Sequence, residues 1–328
     1  MADPTTGDGD REAERTTAST GSEPGTWNRR RFLKLGVGAA GLVVVAGVTG
    51  WELVSHGVLP GQQTLDQLDG ACSVASPALA YAPLGDSMTS TFYSSARNRT
   101  VGYTIGYPPG HGAGSVLPLV IMLHGFGGNH TDALSGMSPA QAVALRVGGH
   151  GLALAPMAMV TVDGGGGYWN PHPGDDPMGM VIDELIPLCQ RLGLGRPPQR
   201  IGTMGISMGG YGAIILAEKY PDLISAVAAI SPAIWTSYNQ AQSANAGAYA
   251  SPEAFRTYDA VTHANALVGK PVRVATGDQD PFHPGVEALI QALPPGAVVD
   301  VSPGCHTDPF FLSQEPPSLA FLAQRLTD

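Results

Sequence analysis

Charge is scarce in this chain of 328 residues: Asp, Glu, Lys and Arg make up 13% of it, about half the usual quarter. Hydrophobic residues nevertheless hold at 43%, so neither a chain-long disordered polymer nor a long coiled coil fits. Basic residues are the scarcer kind. With 17 Lys and Arg against 27 Asp and Glu, the formal net charge is −10. So acidic a body offers no basic face to a phosphate backbone, which excludes nucleic acid as a partner. Cysteine is nearly missing too. Cys72, Cys189 and Cys305 are odd in number and lack metal-ligand spacing, so neither a disulfide-stapled scaffold nor a metal site is indicated. One disulfide fits, from Cys72 to one of the others, while Cys189 reads as a buried thiol on an apolar helix face. There is no internal repeat and no long apolar run. The uncharged residues 35–51 would reach roughly 25 Å as a helix, short of the ~30 Å of a bilayer core.

Glycine and proline are abundant. The 44 Gly and 28 Pro exceed a fifth of the chain, against about 12% in an average protein, and they imply many loops whose shape the backbone dictates. Residues 1–28, rich in Thr, Gly, Asp and Glu, read as a disordered leader. Arg29, Arg30, Arg31, Phe32, Leu33 and Lys34 then precede the uncharged stretch. This arrangement resembles the twin-arginine signal, which a receptor reads to export folded proteins. Residues 29–51 are therefore expected to be that signal or an uncleaved anchor. Export machinery becomes an expected partner, and the destination is secreted or anchored at the cell envelope. Val48-Thr49-Gly50 is the best small-residue cleavage candidate. Residues 52–88 are expected as a linker, and residues 89–328 as a single catalytic domain.

Within that domain, residues 90–107 read as two strands about a polar turn. Residues 117–123 are a short apolar run bounded by glycine, as in a strand buried on both faces. Strands near 152–162, 200–205, 226–230, 272–276 and 297–301 then alternate with helices near 139–147, 178–192, 208–218, 285–293 and 318–326. Such alternation predicts an α/β fold with a mostly parallel central sheet, helices on both faces and an antiparallel N-terminal edge. Its chemistry belongs at the carboxyl ends of the strands. Residues 233–263 are too polar and irregular to assign beyond an insertion.

Gly205-Ile206-Ser207-Met208-Gly209 matches G-x-S-x-G, the strained turn that presents a nucleophilic serine between a strand and a helix. In so glycine-rich a chain the five residues alone prove little. Residues 200–204 make a strand before them and residues 210–217 a helix after them, as the motif requires. A serine nucleophile needs a general base, an acid to orient it, and donors for the oxyanion. Downstream of Ser207 only His263, His283 and His306 remain, and His306 alone follows the last expected strand, in a Pro- and Gly-shaped loop. For the acid, the strand at 272–276 delivers both Asp278 and Asp280. Asp280 lies further into the loop and can reach across to His306, whereas Asp278 can cap the turn. His124-Gly125-Phe126-Gly127-Gly128 supplies a glycine-rich turn whose Phe126 N–H, with that of Met208, can receive an oxyanion. His124 reads as a shaper of that loop. Tyr168 and Trp169, beside four glycines at 164–167, are expected to border the pocket and contact substrate.

Together these residues resemble the Putative esterase family of α/β hydrolases, which includes esterase D, bacterial feruloyl and acetyl esterases, and secreted mycolyltransferases. The resemblance covers about residues 89–326. It rests on the His124 loop, the Ser207 elbow, Ser231-Pro232-Ala233, Gly277-Asp278-Gln279-Asp280-Pro281-Phe282 and Gly304-Cys305-His306. It implies the α/β-hydrolase fold, a Ser207, Asp280, His306 triad, Phe126 and Met208 as oxyanion donors, and cofactor-free hydrolysis of a small-molecule or cell-envelope ester through an acyl-enzyme. Mycolyltransferases commonly place Asp where this chain has His124 and often use Glu as the triad acid, so hydrolysis is expected over transfer. Acyl transfer to an envelope sugar or alcohol is the alternative enzyme reading. A non-catalytic envelope binding protein is the alternative outside enzymes, and the intact Ser, Asp, His order speaks against it.

Overall fold

A computed structural model describes residue 72 and residues 74–131, 134–147 and 151–327. The expected leader and signal, residues 1–51, lie outside the described residues. The described residues form eleven strands: β1 Ala80–Tyr81, β2 Ser87–Ser94, β3 Arg99–Gly106, β4 Leu119–Leu123, β5 Leu145–Val147, β6 Leu152–Ala153, β7 Ala158–Val162, β8 Ile201–Ile206, β9 Ala226–Ile230, β10 Val272–Gly277 and β11 Val298–Ser302. The α-helices are α1 Pro139–Val143, α2 Pro177–Gly179, α3 Ile186–Arg191, α4 Met208–Lys219, α5 Tyr238–Ala244, α6 Pro252–Thr257, α7 Ala260–His263, α8 His283–Ala292 and α9 Asp308–Thr327.

Eight strands form one sheet in the order β11-β10-β9-β8-β4-β7-β3-β2. From β11 to β7 every neighbour is parallel, while β3 and β2 add antiparallel partners at one edge. The sheet class expected from the sequence is the one observed. Leu119–Leu123, Ala158–Val162 and Ala226–Ile230 are buried at every residue, as strands covered on both faces must be. One face carries α4 and the 177–191 helical segment, with Trp169, Met180, Ile186 and Ile214 in its core. The other carries α1 and α9, with Val120, Val143, Phe310 and Leu322.

Several boundaries differ from expectation for local reasons. Residues 145–147 leave the helix after Val143 and pair with β1 and β6 in a small antiparallel sheet. The expected strand at 152–162 is accordingly split into β6 and β7. Residues 74–88, expected as linker, are built into the domain through β1, the start of β2 and a disulfide from Cys72 to Cys305. Helix α9 begins ten residues earlier than expected and tolerates Pro316 and Pro317 inside it. The insertion at 233–263 contains α5, α6 and α7. Among the described residues no helix is long and apolar enough to cross a membrane.

Candidate active site

Strand order determines what meets at the carboxyl ends. β11, β10, β9, β8 and β4 are consecutive neighbours, so the loops that follow them carry His306, Asp280, Ser231, Ser207 and Phe126 to one edge of the sheet. Ser207 sits between β8 and α4 at φ 57°, ψ −121°, a left-handed conformation that costs a non-glycine residue of order 1–3 kcal/mol and persists only where its surroundings impose it. Those surroundings are visible. A Cβ on Gly205 would collide with the Gly209 backbone, and one on Gly209 with the Leu123 carbonyl. The elbow therefore closes only with glycine at both positions. The Ser207 N–H donates to Ile230 O at 3.0 Å, and Ser207 O accepts from Ala233 N at 2.9 Å, which seats the elbow on the end of β9.

Ser207 Oγ lies 2.8 Å from His306 Nε2, and His306 Nδ1 lies 2.9 Å from Asp280 Oδ2. The other Asp280 oxygen, Oδ1, accepts from Phe282 N at 2.8 Å. Asp280 is buried, so its charge acts on the imidazole with little screening by water. Asp278 is exposed and accepts from Gly304 N at 3.2 Å. The two carboxylates left open by the sequence thus divide cleanly: Asp280 touches the histidine, and Asp278 supports the backbone of its loop. Phe282 and Phe311 flank the imidazole at centroid distances of 5.1 and 5.0 Å. A serine hydroxyl, an imidazole and a buried carboxylate in this sequence of contacts can move a proton off Ser207 and stabilise the resulting imidazolium.

A cleft of about 440 Å³ opens over Ser207 and His306. Phe126 and the 125–128 loop line it, together with Met122, Leu134, Ile206 and Phe311, while Ser135 and Asp308 supply polar lining. Gly128 N donates to Gly125 O at 3.1 Å to close the loop, and Gly127 adopts φ +81°. Met208 is the first residue of α4, where an N–H has no carbonyl one turn back to bond. Sequence reasoning missed Leu134, Ser135, Asp308 and Phe311. The adjacent Phe310-Phe311 pair so soon after His306 was the available signal.

Tyr168 and Trp169 are not on the cleft, which corrects the expectation that they contact substrate. Both are buried. Gly164 and Gly212 have no room for a Cβ because the Trp169 ring occupies it, and Trp169 Nε1 donates to His124 O at 3.2 Å. Tyr168 packs among Tyr211, Trp235 and Tyr249. The glycine-rich loop is pinned by Arg97, itself buried, whose guanidinium contacts Asp175 at 2.7 and 3.0 Å. Burial alone would raise the Asp175 carboxyl, but hydrogen bonds and charge from Arg97, with Arg99, hold it below the usual carboxylate value. His124 is likewise committed, its Nδ1 2.7 Å from Gly125 O and its Nε2 accepting from Gly164 N at 2.9 Å. It shapes the loop, as its sequence position suggests. Cys189 is a buried free thiol, and burial pushes its pKa up to about 12, so it is chemically quiet.

Comparison with known proteins agrees with this fold. A ferulic acid esterase superposes with a TM-score of 0.60 at 20% identity, covering 74% of this chain and 98% of its own. An S-formylglutathione hydrolase from Agrobacterium tumefaciens gives 0.57 at 19%, covering 77% and 99%. MPT51 of Mycobacterium tuberculosis gives 0.52 at 15%, covering 76% and 100%. At these identities the likeness speaks for the fold. No curated protein sequence matches. The profile of the family described as "Putative esterase" matches residues 94–285, more than half of the chain. The chain therefore belongs to the Putative esterase family, enzymes of the α/β-hydrolase fold that act on carboxylic esters.

Proposed function

We propose that this protein is an exported serine carboxylesterase that works through an acyl-enzyme on Ser207. The observation that carries the reading is the unbroken relay from Ser207 Oγ through His306 to Asp280. In the first half-reaction His306 Nε2 takes the Ser207 proton while Oγ bonds to the ester carbonyl carbon. The developing oxyanion is received by the backbone N–H groups of Phe126 and Met208. Collapse of the tetrahedral intermediate breaks the bond to the leaving alcohol, which takes the proton from His306. In the second half-reaction His306 removes a proton from water, the hydroxide adds to the acyl-enzyme, and Ser207 regains its proton as the acid departs. Every proton and electron pair is handled by side chains of the protein and by water.

The apolar lining by Met122, Leu134, Ile206 and Phe311 favours esters with an apolar group near the carbonyl, whether free small molecules or cell-envelope components. Export is supported by Arg29, Arg30 and the uncharged stretch after Lys34. It is supported independently by the Cys72–Cys305 disulfide, since such bonds persist mainly outside the reducing cytosol. The test compares initial rates of p-nitrophenyl butyrate hydrolysis by the full-length chain and by Ser207→Ala. A loss of at least about 10³-fold is expected, and equal rates would sink the enzymatic claim.

A further inference from the structure

The one disulfide of the described residues ends on the residue next to the general base. Cys305 is fully buried, immediately precedes His306, and is joined to Cys72 across 233 residues of sequence. The loop it belongs to lies between an edge strand and a helix interrupted by proline. Before it lies β11, which among the described residues is an edge strand paired to β10, with Val298, Val299 and Val301 exposed. After it come the first two turns of α9, which carry Asp308 and Phe311 into the cleft. Those turns run into Pro316 and Pro317, and two prolines remove two helical hydrogen bonds just where the turns join the rest of the helix. On one flank the loop is held by Gly304, whose N–H reaches Asp278 and whose carbonyl accepts from Gln279 at 2.9 Å. Cys72 supplies a second, covalent hold. Residues 74–82 are anchored in turn: Leu79 packs against the cluster containing Phe310 and Phe311, Glu315 on α9 acts on Tyr81 by its charge, and β1 pairs with β5.

We infer that the Cys72–Cys305 bond is a positioning element for His306, and that the esterase reaches its full turnover only when this bond is oxidised. The inference rests on the relay reading of Ser207, His306 and Asp280. Cys72 is partly exposed and Cys305 is buried, so a reductant thiolate attacks Cys72 Sγ and Cys305 Sγ leaves, taking up a proton. The second thiol of the reductant then closes its own disulfide and releases Cys72 as a thiol, which delivers two electrons in all. With the bond open, residues 74–82 lose their covalent tie to the loop that carries His306, and the imidazole spends less time aligned between Asp280 and Ser207. Misplacement of a catalytic group by about 1 Å can cost on the order of 100-fold in rate. The consequence is compartmental. A chain still in a thiol-rich compartment turns over ester slowly, and the same chain becomes fast where disulfides form.

The test uses the full-length chain with p-nitrophenyl butyrate, as oxidised wild type, as wild type treated with dithiothreitol, and as Cys72→Ala. Circular dichroism in the assay buffer reports the folded fraction. The expected result is a fall in kcat of about 10- to 100-fold on reduction, with KM changed less than about threefold and the folded fraction retained. Reoxidation with oxidised glutathione should restore the wild type, while Cys72→Ala stays slow and indifferent to both reagents. If Cys72→Ala does not fold, the reduction and reoxidation of wild type decide alone. Reduced, folded protein with unchanged kcat overturns the inference, as does a loss of rate that only follows loss of folded protein. Failure of oxidised wild type to hydrolyse any ester is a different outcome and strikes the proposed function itself.

Discussion

Glu218 sits in the last turn of the helix that Ser207 opens, and its own contribution to stability runs opposite to that of an ordinary paired carboxylate as pH changes. It is buried, and neither carboxylate oxygen has a hydrogen-bond partner. Burial pushes its pKa up to about 9 from 4.5, with Lys219 opposing the rise and Asp259 adding to it. The folded chain therefore keeps a proton that the unfolded chain releases above 4.5. Between those two values the folded state binds more protons at this site, so the contribution of Glu218 to stability is most favourable below about pH 4.5, declines as pH rises, and levels off above about 9. Each pH unit is worth about 1.4 kcal/mol, which amounts to roughly 3 kcal/mol lost by pH 7 relative to the acid limit. Glu218→Gln keeps the shape and stays neutral. Urea denaturation of both proteins at pH 5, 7 and 8 isolates this one group, because all other titrations are shared. The variant should nearly match wild type at pH 5 and exceed it by about 2–3 kcal/mol at pH 7, with a wider gap at pH 8. A gap of constant size across that range would refute the reasoning.

Two further outcomes follow from the site. Asp280→Asn should lower kcat by roughly 10³–10⁴-fold with the melting temperature little changed, because the amide cannot stabilise an imidazolium; Asp278→Asn should stay within about threefold in the same p-nitrophenyl assay. Trp169→Ala should cost about 3–5 kcal/mol in denaturant titrations, since the indole fills the space left by Gly164 and Gly212. At temperatures where that variant is still folded, KM for short esters should move less than about threefold, which a substrate-contacting residue would not allow.

Much of the fold was legible because its signals are local. The apolar runs that became β4 and β9 are continuous, and a strand buried on both faces has no other way to look. The elbow was legible because glycine is needed on both sides of Ser207 for steric reasons, and because a strand and a helix flank it in the right order. What stayed hidden depends on pairings distant in sequence. Tyr168 and Trp169 read as pocket-bordering residues beside four glycines, yet two of the glycines that matter, Gly164 and Gly212, are there to receive the indole. The Arg97–Asp175 pair that fixes this loop joins residues 78 apart. Choosing between Asp278 and Asp280 needed the path of the Gly304 backbone, which occupies Asp278. The early start of α9 was masked by Pro316-Pro317, which reads as a break in any local view. The small sheet that removes residues 145–147 from the helix exists only because β1 arrives from residues 80–81.

The central claim, that Ser207 carries the acyl group, is tested most directly by quenching the full-length enzyme with acid during steady-state turnover of p-nitrophenyl butyrate and weighing it intact. The account predicts one butyryl adduct that maps to the peptide containing Ser207 and is missing from Ser207→Ala. Turnover with no adduct on Ser207 even at the shortest quench times, or an adduct on another residue that persists in Ser207→Ala, would contradict it.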